Sequence, residues 1–337
     1  MRKFIFSLLI CSVFMLPGVA AAQSSGSGTV EGQVINETAG GGDVADLEVY
    51  LFAYAGNELQ STDTATTDGE GKFRFEGLSG ENTYIVSVTY MDVDYYYPVV
   101  FSSDEDTEYL QVSVCDSTVS DDAIRIALAH KIIGFQNEYA IVTEMFVLVN
   151  EGDKTYIGEE KSVTGAEWAV LMFTLPAGAV GFQPPPEMAE DFLVLDDGGV
   201  AYTVPFPPGQ LQLFFSYSLP MPRRDELVLT FTSGYSTDYL EVMVQSDDVE
   251  VTTGQLTPAD PVETATGERY IHYTGQNISS DSSIDIHLAG SSGNSSFIFL
   301  ISIIIFAIVI VAVVLFFVKR KRPVGQSQGS NDAGEDV

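Results

Sequence analysis

The chain has 337 residues, of which 47 are acidic and 15 basic, for a formal net charge of −32. That charge excludes nucleic acid as a partner, because a polyanion is held through lysine and arginine contacts to phosphate. A hydrophobic content of 45% with 11% aromatics excludes a chain disordered throughout, which would bury too little apolar surface to offset its ordering entropy.

At the N-terminus Arg2-Lys3 precede an apolar run from Phe4 to about Val19, then Ala20-Ala21-Ala22 and polar Gln23. Basic start, apolar centre and small residues at the end are the three parts of a secretory signal peptide, expected over 1–22. Removing it takes Cys11 with it and leaves Cys115 as the one remaining cysteine, so no internal disulfide is expected. A Ser/Gly linker over 23–28 follows.

From residue 29 the chain reads as strands. Apolar residues alternate with polar ones at Tyr84, Val86, Val88 and Tyr90, and again at Leu211, Leu213, Phe215 and Tyr217. Gly/Asp/Pro clusters at 40–43, 68–71, 184–186, 196–199 and 207–209 separate the runs, and only 186–195 hints at a helical turn. The expected fold class is all-β: two consecutive antiparallel β-sandwich domains, followed by one C-terminal transmembrane helix.

The block 29–101 contains Val30-Glu31-Gly32-Gln33-Val34, Leu47-Glu48-Val49-Tyr50-Leu51, and Asp68-Gly69-Glu70-Gly71-Lys72-Phe73-Arg74-Phe75-Glu76-Gly77-Leu78 leading into Tyr84-Ile85-Val86-Ser87-Val88. It resembles the carboxypeptidase regulatory-like family, a transthyretin-like sandwich of seven strands. The alternation agrees, with Phe73 and Phe75 on the core face and Arg74 outward. The resemblance implies a non-catalytic module and transfers no functional residues. An acidic linker at 102–108 then leads to a second, larger sandwich over 109–290, of roughly eight to ten strands. Its phrases at 213–220 and 269–275 resemble only uncharacterised prokaryotic surface proteins.

A polar stalk at 291–296 precedes 22 uncharged residues, 297–318, about 33 Å as a helix and long enough to cross a bilayer. Lys319, Arg320, Lys321 and Arg322 follow at once. The positive-inside rule places them, and the tail 319–337, in the cytoplasm. The expected location is a cell membrane crossed once, N-terminus outside. Residues 23–296 then hold 44 acidic and 9 basic side chains, a surface suited to high salt, where self-repulsion is screened. Solvated acid surface explains the runs at 104–106, 121–122 and 247–248 better than calcium, since their spacing does not build a calcium loop.

Little points to catalysis. The three histidines carry no HxxE, HExxH or GxSxG pattern. His130 alternates with Ile124, Ile126, Leu128 and Ile132 on an apolar face, whereas His287 points opposite Ile284, Ile286 and Leu288. Met145, Met172, Met188, Met221, Met243, Cys115 and the histidines are soft-metal donors, yet none lie at ligand spacing, so no metal or cofactor is expected. The interaction candidates are Tyr95, Tyr96 and Tyr97, of which at least one must face water. Cys115 shares the more polar face of its strand with Gln111 and Ser113, and its alternatives are burial or a disulfide-linked homodimer. Asn36, Asn277 and Asn294 head N-x-[ST] sequons. The expected function is a membrane-anchored, non-enzymatic β protein binding an envelope protein or a glycan. An accessory subunit of a membrane complex and a metal-handling or hydrolytic ectodomain are the alternatives.

Overall fold

The computed structural model describes residues 28–101, 106–158, 169–196, 198–221, 226–245, 249–264 and 267–290. The expected signal peptide, most of the expected acidic linker, the expected stalk, the 297–318 run, Asn294 and Lys319, Arg320, Lys321 and Arg322 lie outside them. No helix among the described residues is long and apolar enough to cross a membrane. The protein is all-β and divides into two units, one comprising 1–37 and 41–114, the other 38–40 and 115–337.

Among the described residues the first unit has seven strands: β1 (Gly28–Asn36), β2 (Glu48–Ala55), β3 (Glu58–Thr66), β4 (Lys72–Leu78), β5 (Thr83–Tyr90), β6 (Val93–Val99) and β7 (Thr107–Val114). They form two sheets, ordered β4-β1-β7 and β3-β2-β5-β6. Between the sheets lie Val30 and Val34 of β1, Leu51 of β2, Phe73 and Phe75 of β4, Val86 and Val88 of β5, and Val112 of β7, all buried. Gly32 belongs to this layer because the Phe73 ring occupies the place of its side chain; a Cβ there would stand 2.0 Å from Phe73 Cζ. The stretch from residue 109, expected to open the second sandwich, belongs to the first unit up to Val114. It lies in β7, paired parallel to β1 from Thr29↔Thr107 to Asn36↔Val114. The acidic stretch before it is thus a connection within the first unit, and its sheet is mixed rather than purely antiparallel.

The second unit contains β8 (Ser117–Thr118), β9 (Ile124–Gln136), β10 (Tyr139–Asn150), β11 (Thr155–Tyr156), β12 (Leu171–Phe173), β13 (Val180–Gln183), β14 (Phe192–Val194) and β15 (Val200–Tyr202). It continues with β16 (Gly209–Pro220), β17 (Glu226–Thr232), β18 (Thr237–Gln245), β19 (Val249–Thr252), β20 (Thr257–Glu263), β21 (Arg269–Ile278) and β22 (Ser283–Gly290). Several have only two to four residues, which is why the sequence suggested fewer. The expected helical turn is a 3₁₀ segment, Pro186–Asp191. A seven-stranded sheet, β13-β16-β10-β9-β18-β21-β20, shares one core with the small sheets β12-β15-β14 and β17-β22-β19. In the seven-stranded sheet one neighbour pair, β9 and β18, is parallel, as are the two-residue strands β8 and β11.

A bulge in β9 corrects the expected faces of that strand. Against β10 the register runs Val147↔Leu128 and then Leu148↔Ile126, skipping Ala127. One extra residue reverses the parity of everything after it. Ile124 and Ile126 face the core as expected, but the core residues that follow are Ala129, Ile133 and Phe135. His130 therefore leaves the apolar face on which simple alternation placed it, and Lys131 takes an inward position.

Candidate functional site

On the outer face of β4-β1-β7, cross-strand register builds two rows. Arg74, Glu31 and Tyr109 form one, and Lys72, Gln33 and Gln111 the other. Neighbouring strands are about 4.8 Å apart and same-face residues about 6.6 Å apart along a strand, so the six side chains span roughly the footprint of a sugar ring or two. They line a groove of about 700 Å³ that also takes in Thr66, Asp68, Gly32, Phe73 and Leu110. Tyr109 is 73% exposed, an aromatic face held open to solvent.

The polar groups of this groove are held in place. Arg74 reaches Glu31 Oε1 at 2.5 Å through Nη1 and Glu76 Oε1 at 2.6 Å through Nε. Lys72 Nζ lies 2.5 Å from Glu70 Oε2, a hydrogen bond that raises the Lys72 ammonium above its ordinary value. Gln33 Nε2 donates to the Glu70 carbonyl at 2.8 Å. The turn before β4 depends on Gly71, whose φ of +78° and close approach to the Val34 carbonyl leave no room for a Cβ. Lys72 and Arg74 are the only basic residues in 28–114, and with Glu31 and Asp68 they give the lining equal numbers of positive and negative charges in a strongly acidic protein.

The residues singled out from the sequence are placed elsewhere. Tyr95 and Tyr97 pack against the first core, and the Tyr97 hydroxyl donates to the Ser113 carbonyl at 2.7 Å. Tyr96 is 61% exposed but belongs to β6, in the other sheet. Cys115 is buried, because β7 and its alternation end at Val114. Asn36 Nδ2 donates to the Gly42 carbonyl and the Tyr90 hydroxyl, both at 3.0 Å, whereas Asn277 is exposed on β21.

The histidines and methionines are closer together than sequence spacing suggests. Register sets Met145 opposite His130, His130 beside Glu241, and Met243 opposite His272. His130 Nδ1 is 2.9 Å from Glu241 Oε2, and His272 Nε2 is 3.9 Å from Oε1. Burial pushes the Glu241 carboxyl up, but the hydrogen bond and charge of His130, with help from His272 and Tyr239, hold it below its ordinary value. His287 stands apart, 2.8 Å from Glu226 at the surface. Among the described residues no three His, Cys, Asp or Glu side chains are arranged to hold a metal ion.

On the core side of the same sheet, Lys131 is paired with Glu144 directly across β9 and β10. The Tyr217 hydroxyl donates to Glu144 Oε1 at 2.7 Å, and burial first, then the Glu144 charge, keeps that hydroxyl well above its ordinary pKa. No family model matches the chain, and no curated protein matches it.

Tyr109 was missed although its signal was legible. The alternation that put Gln111 and Ser113 on the polar face of their strand extends two residues back to Tyr109. What sequence could not supply was the neighbour, β1, whose Glu31 and Gln33 turn an isolated exposed tyrosine into part of a groove.

Proposed function

We propose that the protein is a membrane-anchored, extracytoplasmic, non-catalytic binding protein, carried by a signal peptide at 1–22 and a single span at 297–318. In this reading the first unit is a carboxypeptidase regulatory-like module that binds a neutral glycan of the cell envelope. The observation that carries the reading is the groove itself. An exposed Tyr109 offers a face on which a sugar ring stacks, while Arg74, Glu31, Gln33 and Gln111 offer donors and acceptors pre-positioned by ion pairs and strand register. Preorganised polar groups cost less ordering on binding. Charge balance in the lining favours a neutral sugar over a polyanion.

The test is binding of the full chain, in detergent, to an array of neutral hexose and N-acetylhexosamine polymers. Tyr109→Ala is expected to abolish binding and Tyr96→Ala to leave it intact. Retention by Tyr109→Ala would remove the groove from consideration, and absence of any glycan binding would return the choice to an envelope protein partner.

A further inference from the structure

The Lys131, Glu144 and Tyr217 cluster has a chemical possibility that an exposed ion pair lacks. Lys131 is 8% exposed, Glu144 3% and Tyr217 1%. Lys131 Nζ lies 4.3 Å from the centre of the Phe231 ring and 5.3 Å from that of Phe146. Among the described side chains Glu144 is its hydrogen-bond acceptor. The cluster borders a cavity of about 40 Å³, with space for a water molecule.

We propose that Lys131 and Glu144 condense to an intramolecular amide, a covalent cross-link between β9 and β10. Strand register holds the amine against the carboxyl group as cross-strand neighbours, and such fixed proximity replaces a bimolecular encounter. The Lys131 ammonium passes a proton to Glu144 Oε2, and the resulting amine attacks Cδ. Tyr217 donates to Oε1 while negative charge collects there in the tetrahedral intermediate. The Cδ–Oε2 bond then breaks and the oxygen leaves with two protons as water, so no oxidant, reductant or activating reagent is needed. The product replaces two buried charges, whose desolvation is costly, with one neutral amide. That amide keeps the Tyr217 hydrogen bond and needs one acceptor rather than three.

The test is a peptide map of the denatured full chain. Trypsin cleaves after Lys131 only if its amine is free. The cross-link therefore predicts loss of peptides 126–131 and 132–154 and the appearance of one peptide, 126–154, lighter by a further water than an uncut linear chain. Lys131→Arg, which cannot form the amide, should restore cleavage at 131. Tyr217→Phe, which removes only the hydroxyl, should leave a measurable fraction of 126–131; full cross-linking in it would overturn the role given to Tyr217. Recovery of 126–131 and 132–154 as separate, unmodified peptides from the wild-type chain would overturn the cross-link.

Discussion

Both units set a basic residue directly across a strand pair from a glutamate, Arg74 from Glu31 in the first and Lys131 from Glu144 in the second. The register is equivalent and the surroundings are opposite. Arg74 and Glu31 are about half and a third exposed, so water screens their attraction and such a pair is worth about 0–1 kcal/mol. Lys131 and Glu144 are enclosed by Phe146, Phe231 and Tyr217, where removing one partner strands the other charge. A cross-strand ion pair on an open face stays available to a ligand, whereas the same pair on a closed face is a structural commitment.

The largest expected effect follows from that difference. Lys131→Ala should destabilise the second unit by at least about 3–5 kcal/mol, since it leaves Glu144 an uncompensated buried charge and removes any cross-link between β9 and β10, while Arg74→Ala should cost the first unit less than about 1 kcal/mol. Hydrogen exchange followed in β9–β10 and β1–β4 reads the two units separately. Equal losses in both variants would break the comparison.

Next in size is Gly32→Ala, which sharpens the first unit's side of it. The added methyl would stand 2.0 Å from Phe73 Cζ inside a packed core, and overpacking of this kind costs about 1–3 kcal/mol. A denaturant titration should show the first unit's midpoint falling. Because Glu31 and Gln33 flank Gly32, the same variant should also weaken glycan binding. Tyr109→Ala is the counterpart: a surface change expected to alter stability by less than about 0.5 kcal/mol while removing binding.

How far these features were legible in the sequence differs between the units for a physical reason. In the first, alternation alone put Phe73, Phe75, Val86 and Val88 inside and Arg74 outside, because β4 and β5 are uninterrupted. In the second, the bulge at Ala127 inverted β9, exchanging the faces of His130 and Lys131, and a period-2 reading has no means of anticipating one extra residue. Register between distant strands was equally invisible. β7 lies beside β1 after some 70 intervening residues, and His130, Glu241 and His272 meet through strands far apart in the chain.

The smallest effect concerns the turn that leads into the groove. Asp68 Oδ1 accepts the backbone N–H groups of Lys72 and Glu70, each at 2.9 Å, and these bonds hold its carboxyl below the ordinary 3.8. A carboxylate whose folded pKa is depressed stabilises the fold fully above its unfolded value and loses that contribution as pH falls through the folded one. The wild-type first unit should therefore lose protection in the β3–β4 turn as pH drops below about 3.8. Asp68→Asn keeps an acceptor oxygen but has no charge to lose, so it should start slightly less protected at neutral pH and change less across the acid range. The effect is small because the turn is open to solvent. Parallel profiles in the two proteins would mean that the charge on Asp68 contributes nothing beyond its hydrogen bonds. The turn that positions Lys72 would then owe its stability to the two side-chain hydrogen bonds, Gly71 and backbone geometry, and not to charge.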